Sequence, residues 1–580
     1  MTQPHGPGAD DGSRPPRVVL FRANAIDADS RAKKFSLTLA RLGYEVHVLS
    51  AEEAVPGATD QARDRWLGPV RVHPVIMTHA RRDVHKLVLG ARRRRQLRVI
   101  DWTPVDEYVT RVAELKRRSA ATRRRADALR SPDPDAPGRP PLWRARWFGL
   151  RLVHSGAKAV LVARRTRWRA QWLVNVGYRQ AWREWDARRH ATAFLATTRG
   201  TLPEVDDYAA SFSKVLDRLA PDVIHAHHPL VLGTAVRAAR RRRAAGQDCA
   251  VLYDARENFA GIPPEEQGNV RRHAVLVREE ARYVREAAAV VTVSEPIADV
   301  LQERYRLPVR PSVILNVPVA VRPDAEGGAG AGARRPTVRE AAGLDAATPL
   351  LVYSGAVSAA RGIDTLIDAM ALLPDVHLAL VTVPYPHPRV PQLLERAAAL
   401  GAQDRIHPLP PVGQDELLHH LSGADVAVHP MPGGSPNHDQ ALPNKLFEYL
   451  HAGLPLVVAD AKLMAEFVRT NGVGEVFRSG DAPGLADAVR RVLDPAYPRV
   501  PRAELAARCS WQAQETAIAD LYGRFAPLPP SLRADPSTLP ARFPDLSVTS
   551  ARVLSVGPPA AAESLGSSTV SPLDRRTTAP

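Results

Sequence analysis

In the stretch PNKLFEYLHAGLPLVV, residues 443–458, Lys445 and Glu448 stand three positions apart. Pro443 suits a helix start, Gly453 a helix end, and Pro455 bars continuation, so the pair shares one face of a helix of about ten residues. The positive end of a helix and its open N–H groups favour an anion. A lysine for phosphate oxygens and a carboxylate for ribose hydroxyls would answer a nucleoside diphosphate; the same pair on a surface helix would be an ordinary ion pair worth a few tenths of a kcal/mol. In LVYSGAVSAARGIDTLIDA, residues 351–369, Arg361 stands where a buried strand gives way to an amphipathic helix. It could meet a second phosphate, or it could be a solvated loop arginine.

Other candidates lie in the first half of the chain. His225 and His227 in PDVIHAHH end a buried strand, where they could reach a substrate or cap the turn. Asp254 and Glu257 in YDARE are strand-end acids that could touch a ligand or pair with Arg256. Asp27 and Asp29 could bind a metal, but they precede a helix, where acids serve as caps, and capping is the expected role.

These residues need a scaffold that brings strand ends together. From Arg17 to Ser50 an apolar run, a polar turn, a helical repeat (Ala32, Phe35, Leu39, Leu42), Gly43 and an alternating EVHVLS make one βαβ unit, with Ser30 as its helix cap. Further strands are expected at PDVIHAHHPL, CAVLYDARE, AAAVVTV (its helix capped at Ser294) and PSVILNVPV. A second alternating series runs from Pro349 and closes with the helix SWQAQETAIADLYGRF. RPDAEGGAGAGARRP between them has glycines but no preceding strand, so it is expected to be a linker and not a dinucleotide fingerprint. The expected architecture is α/β: two Rossmann-like, doubly wound domains facing a cleft, at residues 17–322 and 337–526. A linker at 323–336 joins them, and disordered ends occupy 1–16 and 527–580.

The two second-domain motifs, with the first-domain series in order, resemble the retaining group 1 (family 4 type) glycosyltransferases of GT-B fold, which include bacterial capsule, exopolysaccharide and phosphatidylinositol mannosyltransferases. The similarity covers residues 17–80 and 200–525. It implies that Arg361 and Lys445 bind the donor diphosphate and that Glu448, the second acid of an E-x7-E pattern, binds the ribose. Gly355, Asn444 and Leu446 would also line the donor site, and His227 or His225 would approach the transferred sugar. Ser30, Arg31, His225 and Glu257 become acceptor or sugar contacts. Two positions depart from the pattern. The first acid is Gln440, which can hydrogen-bond a sugar but carries no charge, and the arginine often found after the glycine is Ala356, a loss that Arg31 could make good. The resemblance implies a retaining, metal-independent transfer from a nucleotide-diphosphate sugar to a saccharide or lipid-linked acceptor, without a further cofactor. A nucleotide-sugar epimerase of the same fold and a non-catalytic membrane scaffold are the alternatives.

The net charge of +17 is unevenly placed: residues 81–200 hold 30 Lys and Arg against 10 Asp and Glu, leaving the remainder at −3. This segment, expected as a mostly helical insertion, also holds seven of the nine tryptophans. Arginine with tryptophan suits an anionic membrane surface; nucleic acid would need only the charge, and no nucleic-acid motif accompanies it. Arg-rich coding bias is the neutral explanation. With no signal-like segment or apolar span, and with Cys249 and Cys509 not spaced as a disulfide framework or zinc site, the expected location is the cytoplasm, peripheral at the inner face of the membrane.

Overall fold

The computed structural model describes residues 14–27, 29–53, 64–77, 105–129, 142–191, 203–263, 270–320, 335–498 and 500–529. The expected disordered ends, linker and parts of the basic insertion fall wholly or largely outside these residues. The first lobe is an eight-stranded sheet built from β1 (Arg17–Arg22), β2 (Glu45–Glu52), β3 (Arg65–Leu67), β4 (Val70–Ile76), β5 (Val223–His227), β6 (Ala250–Asp254), β7 (Ala289–Thr292) and β8 (Ser312–Val313). Its order is β3-β4-β2-β1-β5-β6-β7-β8, parallel except for the β3 edge. The second lobe is a six-stranded parallel sheet ordered β11-β10-β9-β12-β13-β14, from β9 (Leu350–Gly355), β10 (His377–Thr382), β11 (Ile406–Leu409), β12 (Val426–His429), β13 (Leu456–Ala459) and β14 (Gly474–Phe477). Both central strands, β1 and β9, are apolar runs buried on both faces, as parallel sheets covered by helices require. Two doubly wound lobes match the expected architecture.

The first helix, α1 (Ser30–Leu42), is capped one residue earlier than expected: Asp29 is the N-cap, its carboxylate accepting from the Ala32 N–H at 2.9 Å. Asp29 also pairs with Arg22 and Arg256, so capping and charge balance account for it. Gly43 ends α1 in the left-handed region at φ 107°. The basic segment contributes a helical hairpin, α2 (Val105–Ala128) and α3 (Trp143–Ala191). The first lobe continues with α4 (Pro203–Leu219), α5 (Pro229–Ala244), α6 (Val270–Tyr283) and α7 (Glu295–Tyr305), the last capped by Ser294 as expected.

In the second lobe come α8 (Val338–Ala341), α9 (Ile363–Met370), α10 (Val390–Ala399), α11 (Leu417–Leu421), α12 (Pro436–Gln440), α13 (Asn444–His451), α14 (Lys462–Asn471), α15 (Ala482–Leu493), α16 (Ala503–Arg508) and α17 (Glu515–Gly523). The helix expected to close this lobe, α17, crosses back to the first one. Glu515 accepts from Thr38 and Arg41 of α1, both at 3.0 Å, and the Trp511 indole donates to Thr38 at 2.9 Å. Trp511 is fully buried against Phe35, with Lys34 over its ring. A large indole sealed against the opposite lobe is a strong tie, since aromatic burial dominates such contacts.

Candidate active site

The donor-side candidates converge at the C-terminal ends of β9 and β12. Helix α13 runs from Asn444 to His451, two residues shorter than expected, because Pro443 is the N-cap and the chain turns at Gly453 with φ 78°. Its amphipathic pattern buries Leu446, Phe447, Tyr449 and Leu450 and turns Lys445 toward β9. A Cβ placed on Gly355 would lie 3.7 Å from the Lys445 Cε, so the strand-end glycine and the lysine are neighbours. Lys445 Nζ donates to Glu448 at 2.7 Å, and Asn444 Nδ2 donates to the other Glu448 oxygen at 2.9 Å. Glu448 is thus a buried carboxylate with one partner on each oxygen, and each oxygen keeps a lone pair for a ligand hydroxyl. Leu446 differs from its expected role: its side chain is fully buried in the core and its N–H bonds Pro443 O at 3.0 Å, so it shapes the helix and offers the donor no side-chain contact.

Arg361 ends a short 3₁₀ turn before α9, and its guanidinium reaches the Met431 sulfur at 3.4 Å. Gly362 follows at φ 69°, and a Cβ there would run into the Pro430 carbonyl, so only glycine lets this turn approach β12. Arg361, beside Met431 just past β12, and Lys445, beside Gly355 at the end of β9, both act on the charge of His429 at the end of β12. Burial pushes this imidazole down to about 3, and Arg361, Lys445 and His438 add to the shift. Neither ring nitrogen of His429 has a hydrogen-bond partner among the described residues. Two cations therefore stand at neighbouring strand ends near a neutral buried ring, a positive pair suited to an anion.

The first-lobe candidates form a tight knot around Asp254. Arg31 Nε and NH2 each donate to this carboxylate at 3.0 Å, and NH1 donates to Ile314 O at 2.8 Å. Arg256 Nε donates to it at 3.0 Å, and His227 Nδ1 lies 2.9 Å from it. Burial pushes the Asp254 pKa up, but Arg31, Arg256 and His227 outweigh it and hold the carboxyl well below its ordinary value. Arg31 is only 1% exposed. It is a structural partner of Asp254 and does not supply the cation that Ala356 lacks. His225 is likewise withdrawn from any acceptor role, because it is fully buried and its Nδ1 lies 2.6 Å from the Tyr522 hydroxyl of α17. His227 Nε2 has no hydrogen-bond partner among the described residues, and burial together with His225 holds its ring neutral against the pull of Asp254. Ser30 is half-buried at the start of α1, and Glu257 is exposed after β6. Ligand atoms of His225, His227 and Asp254 lie within 4.8 Å of one another, a spacing that could hold a metal ion. The two guanidinium groups already on Asp254 would repel one.

Gln440 lies at the junction of the lobes. Its Oε1 accepts from Asn258 Nδ2 at 2.9 Å, its carbonyl accepts from the Ser294 hydroxyl at 2.6 Å, and Asn437 Oδ1 accepts the Asn258 N–H at 3.0 Å. The expected sugar contact is an interlobe clasp here. Sequence reasoning missed Asn258, Asn437, His429 and Lys34. No sequence signal marked Lys34, which stands next to Phe35 in α1 but off the apolar face of its repeat. It is buried, donates to Val317 O at 2.5 Å, and is pushed down to about 7 by burial and Arg31, with Glu448 pulling the other way.

Comparisons with known proteins bear on the family and the fold. The family model described as "Glycosyl transferases group 1" matches residues 348–495, and "Glycosyltransferase Family 4" matches residues 203–317. A D-inositol 3-phosphate glycosyltransferase of Mycolicibacterium gilvum (strain PYR-GCK) is 28% identical over 194 residues, 33% of this chain and 42% of the relative. An alpha-D-kanosaminyltransferase of Streptomyces kanamyceticus is 27% identical over 232 residues, 39% of this chain and 57% of the relative. The chain thus spans about half the length of the curated relatives it matches. Among solved structures, sucrose-phosphate synthase from Thermosynechococcus elongatus shares the fold with a TM-score of 0.53 at 14% identity, covering 88% of this chain and 98% of that one.

Proposed function

We propose, for a chain that belongs with the group 1 glycosyltransferases of GT-B fold, that it transfers a sugar from a nucleotide-diphosphate donor to a hydroxyl of a saccharide or lipid-linked acceptor. The observation that carries this reading is the placement of Arg361 beside Met431 and Lys445 beside Gly355, at the ends of the neighbouring strands β12 and β9. When the bond from the anomeric carbon to the β-phosphate oxygen breaks, charge grows on the diphosphate. Cations already in place stabilise that charge more in the transition state than in the ground state. Glu448 holds Lys445 in position and keeps lone pairs for the ribose.

Asp254 is enclosed by Arg31, Arg256 and His227, so no displacement step is assigned to it. The bond to the acceptor oxygen forms on the face that the diphosphate leaves, which retains configuration, and the acceptor's hydroxyl proton passes to the departing β-phosphate oxygen. Arg361 and Lys445 supply the positive charge, so the step asks for no metal. Cell-surface polysaccharide or glycolipid synthesis, on the cytoplasmic face of a membrane, is the setting that lipid-linked acceptors suggest. The purified chain, given a panel of nucleotide sugars and acceptors, should release nucleoside diphosphate, and Lys445→Ala should slow that release. If no sugar nucleotide is turned over and the substitution changes nothing, the reading fails. Donor turnover that needs no acceptor would point to an epimerase.

A further inference from the structure

The α2–α3 hairpin buries or half-buries one stripe of each helix. Leu115, Ser119, Thr122 and Ala126 of α2 recur at spacings of three and four, as do Trp147, Leu150, His154, Ala157 and Leu161 of α3. The helices pack along these stripes, with Ser119 Oγ and His154 Nδ1 3.0 Å apart across the seam. At 3.6 residues per turn, Phe148, Leu152, Val153 and Val160 fall on the sides of α3 away from that seam. They are 65%, 68%, 61% and 45% exposed, far above what a core-facing position allows. Gly149, Gly156 and Ala159 lie among them, so the strip is apolar without interruption.

One border of this strip is basic. Arg144, Arg151, Lys158 and Arg165 recur every seven residues and are all exposed, and no Asp or Glu occurs between Asp135 and Glu184. The charge pattern selects the occupant. A second copy of α3 packed antiparallel on the strip would bring one all-cationic border against another, and a parallel copy would offer that border no acid to pair with. A nucleic acid would use the charge and leave the strip exposed. Anionic lipid answers both features: phosphates meet the basic border, and acyl chains meet Phe148 and Leu152. No described helix is long and apolar enough to cross a membrane, so α3 would lie along the surface.

We propose that the outer face of α3 inserts into the headgroup region of an anionic bilayer and docks the first lobe there. This rests on the membrane-surface part of the proposed function and is independent of sugar transfer. The test is sedimentation of the full chain with vesicles of phosphatidylcholine mixed with phosphatidylglycerol, and with phosphatidylcholine alone. Wild type should bind the mixed vesicles and not the neutral ones. The border variant Arg151→Gln/Lys158→Gln/Arg165→Gln should lose about fivefold in partition per charge, roughly a hundredfold in all. The strip variant Phe148→Asp/Leu152→Asp should lose binding at least as strongly. All of these side chains are exposed, so circular dichroism should show both variants folded, and donor turnover with a soluble acceptor should match wild type.

The proposal is overturned if the strip variant binds mixed vesicles as wild type does, or if wild type ignores them. It is also overturned if wild type is a dimer in vesicle-free solution that the strip variant dissolves. Vesicle binding without donor turnover in any of the proteins would count against sugar transfer and leave the docking face standing.

Discussion

Gln440→Ala tests the interlobe clasp. It removes the acceptor of the Asn258 amide, 2.9 Å away, and spares the Ser294 bond to the Gln440 carbonyl. Asn258 is only 4% exposed, so its orphaned N–H group has little access to water. A hydrogen bond contributes about 1 kcal/mol and a stranded buried donor costs about 1–3 kcal/mol. Both effects weaken the juxtaposition of the lobes in which the two residues meet. A penalty of about 2 kcal/mol would weaken a donor that binds the closed cleft by about 30-fold. The assay is calorimetric affinity for the donor nucleotide in wild type, Gln440→Ala, Asn258→Ala and the double variant. Asn258→Ala also removes the acceptor of the Gly261 N–H, 3.1 Å away, but that loss is common to two corners of the cycle and cancels. The clasp requires the double variant to bind no worse than Asn258→Ala alone. If Gln440 instead contacts the donor sugar, Asn258→Ala will leave affinity alone and the two effects will add, which would refute the reasoning.

Three further outcomes are expected. Gly362→Ala should lower the melting temperature by about 5 °C, because the new Cβ meets the Pro430 backbone at φ 69°. An unchanged melting curve would show that the turn can relax. Arg31→Met should cost about 3–5 kcal/mol in urea unfolding, since Asp254 loses a two-pronged partner inside the protein; a loss under 1 kcal/mol would mean that water reaches the knot. Glu280 accepts from the Tyr253 hydroxyl at 2.7 Å and the Tyr305 hydroxyl at 2.6 Å, and burial raises its pKa from 4.5 to about 7 despite both bonds. The folded state thus holds a proton that the unfolded chain releases. The stabilisation is complete below pH 4.5 and is lost as pH rises through about 7. Relative to Glu280→Gln, wild type should lose on the order of 3 kcal/mol over that window, and parallel stability profiles would contradict the assignment.

Local pattern carried much of the fold. The strand ends at His227, Asp254, Gly355 and His429 follow from apolar runs that stop at polar turns, and α13 from Pro443 and Gly453. Motif residues on one element, such as Lys445 with Glu448, were legible because helical spacing alone brings them together. Pairings across the chain were not. Asn258 and Gln440 are 182 positions apart, Arg31 and Asp254 are 223, and His225 and Tyr522 are 297. No periodicity encodes such partners. Arg31 at a helix start looked like a ligand cation because its spacing could not show the carboxylate that consumes it. The return of α17 was hidden for the same reason: an amphipathic helix shows that it has a buried side and not which lobe covers it.

The central claim is that Arg361 and Lys445 together receive a diphosphate. The most direct measurement is the calorimetric affinity of the full chain for a nucleoside diphosphate against the matching monophosphate, in wild type, Arg361→Ala and Lys445→Ala. Wild type should prefer the diphosphate, and each substitution should cut that preference by about tenfold or more. If both variants keep the wild-type preference, the two cations do not hold the diphosphate and the account is contradicted.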